Sequence, residues 1–342
     1  MIIMHDTDAR DVCELFDLGE LRVTPDAVDG GLTNRMWRFS TGRGVFAVKQ
    51  MNRDYGRADY IDWFDRAFTL EQAACAAGVP MARPVPVAAT GRCLGELLSV
   101  DGRPITVRVH EWVDGEKLES GVVYPPDVVS RAGATLAQIH GLGMPSDVPA
   151  SEALRVFGDD QWRRLAERLE REQVECSVEF RGLLPVIAEL EAHVVAALAD
   201  ATQLLLSHRD SDQKNFMRTP SGELLLVDWD AAGPVHPRHD LANHALVWAG
   251  VHAQEPDRRA ARAYLDGYRR GGGSSEPFRP TDLAELVALR LGWLEFNVHR
   301  ALGEQVRGAA DRGVGVAVIR RNVEQVPRFV HSLDAWLAVL EG

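Results

Sequence analysis

Lysine is nearly missing from this chain: of 38 basic residues among 342, only Lys49, Lys117 and Lys214 are lysines. Arginine stands everywhere else, so a retained lysine marks a place where a compact ammonium is wanted. Positive charge as a whole is also in deficit. The formal charge of −12 excludes the dense basic surface that nucleic acid or an anionic membrane requires, and it accommodates a cationic small molecule. The four cysteines, Cys13, Cys75, Cys93 and Cys176, are too scattered for a disulfide framework or a metal-ligand set. A reducing cytoplasm is the compartment that fits. Apolar runs are broken well before the roughly 20 residues that span a bilayer. The opening MIIMHDTDAR brings acids at once, with no signal-peptide core behind it. No internal repeat is visible, and the histidines, His236 and His239 among them, are spaced unlike zinc ligands.

What is present is ordinarily globular, with 46% hydrophobic and 26% charged residues, and too long for one core of usual size. Two lobes are expected. Up to about residue 113 the pattern is mostly of period two: Arg35 to Ser40 and Val45 to Lys49 form a hairpin around Thr41-Gly42-Arg43-Gly44. A helix is expected over 58–77, stopped by Gly78 and Pro80, then strands over 94–100 and 105–113. From Asp114 the spacing turns helical, with helices expected over 127–139, 150–169, 183–198, 242–252, 258–268, 283–302 and 323–340. The fold class is α+β: residues 1–113 a small antiparallel-sheet lobe, residues 114–342 a mostly helical lobe, and a ligand cleft between them.

One island interrupts the helices. After the apolar Leu204-Leu205-Leu206 comes HRDSDQKN, His208 to Asn215, and a second apolar run from Leu224 ends in Asp228-Trp229-Asp230. Phosphoryl transfer needs positioned charge more than covalent chemistry. Asp210 suits the role of orienting an acceptor hydroxyl and taking its proton. Asn215 and Asp228 suit Mg²⁺, since both offer hard oxygens; a hairpin between the two runs returns Asp228 to the loop. Lys49 ends an apolar strand, where a lone ammonium is costly unless paired. Its expected partner is Glu71, on the apolar face of the helix, with Asp62 and Asp65 as rivals. The pair would clamp the α and β phosphates of a nucleotide. Ahead of it, Gly30-Gly31 form a turn that lets backbone N–H groups approach phosphate, with Thr33 or Asn34 adding donors.

With these residues placed, the chain resembles the aminoglycoside phosphotransferase and choline kinase-like family, which has the bilobal protein-kinase fold. The resemblance runs from about residue 20 to 305 and is strongest in LLSHRDSDQKNFMRTPSGELLLVDWDAAGP. It implies a catalytic loop at His208, Asp210 and Asn215, the following metal-binding acid at Asp228, and the trailing acid of PRHDLA at Asp240. Further signatures are ATLAQIH at 134–140 and GVPMARPV at 78–85. It also implies a hinge at 110–114, where Glu111 and Val113 would meet the adenine of ATP, or of GTP, through backbone groups. One departure is Arg209, where bacterial antibiotic kinases of the family usually carry glycine. The short path from Asp228 to His239 leaves no room for a long activation segment, and G-x-G-x-x-G is absent, so a small-molecule hydroxyl is the expected acceptor rather than a protein.

Acceptor contacts are sought in Asp159 and Asp160, in Asp212 and Asp230, and in Trp293 and Asn297, which share a helix face with Arg300. Each also has a plain structural reading, as solvated loop or helix-packing residues. His208 reads as a loop-holding residue and not as a base. The expected activity is an ATP- and Mg²⁺-dependent O-phosphotransferase acting on an aminoglycoside or amino sugar, with antibiotic resistance as its context and a monomer or homodimer as its form. The rivals are a metabolic kinase of choline, homoserine or sugar-alcohol type, a nucleotide-binding pseudokinase and a Mg²⁺-dependent nucleotidyl transferase.

Overall fold

A computed structural model of the protein describes residues 6–28, 34–51, 60–199, 203–252, 255–304 and 309–341. Gly30, Gly31 and Thr33 lie outside the described residues. The polar opening proves helical: in α1 (Asp6–Leu15), Ala9, Val12 and Cys13, with Phe16 just beyond, make one apolar stripe that joins the core of a sheet. That sheet begins with β1 (Asp26–Val28), β2 (Arg35–Thr41) and β3 (Gly44–Met51). Trp37, Phe39 and Thr41 of β2 point inward while the residues between them are half-exposed, which is the period-two pattern of the sequence. Phe39 pairs with Phe46 across the hairpin.

Helix α2 (Tyr60–Ala76) is followed by β4 (Pro84–Val85), β5 (Gly95–Leu98) and β6 (Pro104–Glu111). The strand order is β1-β2-β3-β6-β4, with β5 also on β6, and each of these pairings is antiparallel. β6 is buried on both faces. Its Ile105, Val107 and Val109 enter the apolar core, each contributing roughly 1.5–3 kcal/mol of burial. Its other face carries Arg108 and His110. In register, Lys49 stands opposite Arg108, so two cations share one side of the sheet. β7 (Glu116–Lys117) ends this part of the chain.

Next come α3 (Pro126–Gly141), β8 (Pro145–Ser146), α4 (Ala150–Ala153) and α5 (Asp159–Arg171). The single helix expected over 150–169 is therefore two, because Leu154 is extended and Gly158 adopts φ 78°, which no helix interior tolerates. Then follow α6 (Ser177–Gly182), α7 (Leu184–Leu198) and β9 (Leu204–Ser207). The hairpin expected between the two apolar runs does not form: β9 pairs with β8, and β11 (Leu224–Leu226) pairs instead with β10 (Phe216–Arg218), which has β7 on its other edge.

After β12 (Gly233–Val235), α8 spans Pro237–Trp248, starting and ending earlier than the expected 242–252. Pro237 opens it at a position where its missing N–H costs nothing. The helix is buried from His239 through Trp248, so it shows no amphipathic period to read. α9 (Arg258–Arg270), α10 (Ala284–Ala301) and α11 (Ala309–Leu340) complete the chain. α3 and α9 pack backbone to backbone: a Cβ on Gly133 would sit 2.1 Å from the Tyr264 carbonyl, and one on Gly267 would sit 1.9 Å from that of Ser130.

Two compact units result, Met1–Glu119 with Gln213–Gly233, and Ser120–Asp212 with Pro234–Gly342. The chain passes from the second to the first inside HRDSDQKN, between Asp212 and Gln213. No described helix is long and apolar enough to cross a membrane.

Candidate active site

In the first unit the hairpin geometry decides which groups meet. Phe216 pairs with Leu226, and Val227 N–H donates to the Asn215 carbonyl at 2.8 Å, so Asp228 emerges one residue past the partner of Asn215. Asp228 is left-handed, φ 66° and ψ 64°, a conformation that aspartate tolerates better than most residues. Lys49 Nζ donates to Asp228 Oδ1 at 2.7 Å and to Asp230 Oδ2 at 2.9 Å. Asn34 Nδ2 reaches the same Asp230 Oδ2 at 3.1 Å, and Trp63 Nε1 donates to the Asp230 carbonyl at 3.3 Å.

The expected Lys49–Glu71 pair is not formed. Glu71, fully buried, is taken by Arg108 Nη2 on one oxygen and by His110 Nε2 at 2.8 Å on the other. Arg108 also donates through Nη1 to Asp230 Oδ1 at 2.8 Å. The physical reason is the β3–β6 register, which sets Arg108 beside Lys49 with a planar fork able to satisfy two carboxylates at once. Nothing in the sequence singled out Arg108, one arginine among many in an apolar strand.

Burial and charge oppose each other here, and charge wins. Desolvation presses the Lys49 ammonium toward neutrality, yet Asp230 and Asp228 hold its pKa above the ordinary lysine value. Desolvation likewise pushes Glu71 up, and Arg108 with His110 bring it below the usual carboxylate range. Arg108 is raised in the same way by Glu71 and Asp230, against burial. The Asp228 side chain stays 45% exposed and that of Asp230 20%, so these two acids form the open rim of the cluster. Among the described residues no group of three or more His, Cys, Asp or Glu forms a closed metal cage. Asn215 is buried while Asp228 stays open; an amide and a carboxylate are donor types that suit Mg²⁺, which keeps water and phosphate oxygens as its remaining ligands.

In the second unit, Arg209 has φ 62°, where a non-glycine residue costs on the order of 1 kcal/mol. That conformation accounts physically for the glycine that the resemblance expects at this position. Arg209 Nη2 is held at 3.2 Å from both the Ala153 carbonyl and Glu285 Oε1. Asp210, half-buried, donates its backbone N–H to His208 Nδ1 at 3.3 Å, so His208 braces the loop. Asp212 is half-buried in the same loop.

The hinge candidates are engaged in the sheet: Glu111 N–H donates to the Arg83 carbonyl and Trp112 N–H to that of Val45, at 2.8 and 2.9 Å; Val113 follows directly. Of the acceptor candidates, Asp159 and Asp160 are exposed on the first turn of α5, each within 4 Å of Arg163. Trp293 is 39% exposed and stacks on Phe296. Asn297 does not share its exposure: it is fully buried, with Nδ2 donating to the Trp293 carbonyl at 2.8 Å. Arg300 pairs with Asp311 at 2.7 Å.

Residues 26–273, well over half of the chain, match the phosphotransferase enzyme family. The chain belongs to that family. It is 30% identical over 224 residues to an uncharacterised protein of Deinococcus radiodurans, covering 63% of the chain and 60% of the relative. It thus spans less than two thirds of that relative's length. Among solved structures it is similar to the amicoumacin kinase hAmiN in complex with AMP-PNP, Ca²⁺ and Ami, at 16% identity, TM-score 0.62 and 94% of each chain. It is similar also to the choline kinase LicA from Streptococcus pneumoniae, at 18% identity and TM-score 0.61, covering 94% of this chain and 100% of that one. These likenesses establish the protein-kinase-like α+β fold of the chain.

Proposed function

We propose that this protein is a phosphotransferase that moves the γ phosphate of ATP to a hydroxyl of an aminoglycoside or amino-sugar-like acceptor. The observation that carries the reading is the Lys49 ammonium held on Asp228 and Asp230 at 2.7 and 2.9 Å, at the end of the hairpin that begins at Asn215. Among the described residues, Glu71, Asp228 and Asp230 gather around Lys49 and Arg108. The exposed carboxylate rim suits a divalent ion. Asn215 and Asp228 would hold Mg²⁺, whose chemistry is to neutralise the β and γ phosphate oxygens as charge develops.

The chain's own groups do the rest. Lys49 gives its ammonium to the phosphates in exchange for the acids. Asp210 orients the acceptor hydroxyl and accepts its proton as the new O–P bond forms; the bond from the γ phosphorus to the β–γ bridging oxygen breaks, and ADP leaves. GTP is the alternative donor. The overall charge of −12 favours a cationic acceptor through long-range attraction.

A coupled assay of nucleoside diphosphate release tests this against aminoglycosides, amino sugars, choline, homoserine and sugar alcohols, with Mg²⁺ omitted as control. Release dependent on both acceptor and metal is expected with the amino sugars and aminoglycosides. Turnover confined to choline or homoserine would reassign the acceptor class, and no acceptor-dependent release at all would leave a nucleotide-binding regulator as the better reading.

A further inference from the structure

The peptide that follows Asp210 is gripped by one helix. Ser211 N–H donates to His244 Nε2 at 3.0 Å, and the Ser211 carbonyl accepts Trp248 Nε1–H at 2.9 Å. His244 and Trp248 stand one turn apart on α8 and both are buried. The direction of every bond is fixed, because a backbone N–H only donates. His244 Nε2 is therefore bare and the ring proton sits on Nδ1, which faces the Asp240 carbonyl at 2.9 Å and its Oδ1 at 3.0 Å. Asp240 Oδ2 in turn receives Ser207 Oγ–H at 2.5 Å and lies 2.9 Å from His140 Nε2. His140 Nδ1 meets the Tyr268 hydroxyl at 2.8 Å. A chain of polar groups thus runs from Tyr268 to the Asp210–Ser211 peptide.

We propose that His244, as the neutral ring protonated on Nδ1, is a positioning residue for Asp210, and that gaining a second proton releases the loop. The Ser211 N–H belongs to the peptide plane that begins at the Asp210 carbonyl, so accepting it fixes the backbone of Asp210 from its C-terminal side. Arg209, left-handed and tied to Glu285, fixes it from the other. An imidazolium has N–H on both nitrogens, and its Nε2–H would oppose the Ser211 N–H.

The groups around His244 make that proton available. Asp240 faces it from its own helix, Asp210 from the loop, and Glu285 from α10, where Arg209 partly offsets it. His140 of α3 reaches it through Asp240, and the Tyr264 ring of α9 packs on Trp248. Burial draws the His244 pKa down, but Asp240 and then Asp210 carry it above the ordinary imidazole value. Electrostatics thus favour the proton that the Ser211 hydrogen bond forbids. Acidification through the titration of His244, raised above that of an ordinary imidazole, unclamps Asp210.

This inference rests on Asp210 as the hydroxyl-orienting group, and two measurements separate the two claims. The first needs no acceptor: ¹⁵N spectra of the histidine-labelled full chain at about pH 8 are expected to show a buried ring with Nδ1 protonated and Nε2 bare, lost in H244Q. A protonated Nε2 would overturn the proposal whatever the protein's substrate. The second is the pH profile of kcat with a competent acceptor. H244Q supplies an amide oxygen that accepts from Ser211 but cannot titrate; H244A supplies nothing. H244A should lower kcat about 10- to 100-fold, with nucleotide KM changed less than about twofold. H244Q should recover most of that loss and abolish the acid limb. An H244Q profile that keeps the wild-type acid limb would sink the idea, even if H244A fails to fold.

Discussion

Two polar clusters in this protein solve the same problem, buried charge, by different means. Around Lys49 the first unit matches charge with charge: two permanent cations, three carboxylates and a rim where Asp228 remains 45% exposed. Such contacts are strong but not directional about identity, so one anion can be exchanged for another. Around Asp240 the second unit uses direction. Its carboxylate, wholly buried and held well below the usual range despite the burial, sits between His244, His140 and Ser207, and no contact there changes without moving a proton. The exchangeable cluster suits ligand binding, and the directional one suits holding a loop still.

The largest effects should come from breaking the exchangeable cluster at its rim. K49A and D228N each remove a charge that the proposed phosphate and metal binding would use, and kcat in the coupled assay is expected to fall about 10³-fold while the fold survives. Wild-type turnover in either would show that the rim is only structural. Next is the buried side of the same cluster. R108M leaves Glu71 with His110 but without its permanent cation and should cost about 3–5 kcal/mol in urea unfolding. E71Q with R108M should recover most of it, because both charges are then gone. Additive losses would contradict the pairing.

The second unit offers a pH test. Burial first, then His236, hold the His239 ring down at about 4, against about 6.5 in an unfolded chain. Between those values the unfolded state binds the proton and the folded state does not. Stability is therefore complete above pH 6.5 and is lost as pH falls toward 4, on the order of 3 kcal/mol for this residue. H239N should flatten that slope, and an unchanged slope would place the effect elsewhere. Smaller still is G133A, whose added methyl meets the Tyr264 carbonyl; a loss of about 1–3 kcal/mol is expected in thermal or urea unfolding, and neutrality would mean that the α3–α9 contact yields.

Much of the fold was legible because its signals are local. The β2–β3 hairpin showed in the alternation of Trp37, Phe39 and Thr41, whereas β10, only Phe216 to Arg218, was too short to signal that it and not Leu204–Leu206 pairs with β11. The meeting of Lys49 with Asp228 was hidden behind the more obvious Glu71, since only the β3–β6 register reveals that Arg108 claims that acid. Arg108 itself carried no signal in a chain where arginine stands almost everywhere. α8 lacked a period because it is buried all round, and with its true start unread the role of His244 was out of reach. Asn297 showed the reverse error: helical spacing put it beside Trp293, but spacing alone does not tell which part of a face meets solvent.

The most direct test compares acceptor-dependent ADP formation by the wild type and D210A, with nucleotide affinity measured separately. A fall in kcat of about 10²–10⁴-fold with nucleotide Kd unchanged is the predicted result. D210A turning over the same acceptor at the wild-type rate would contradict the assignment.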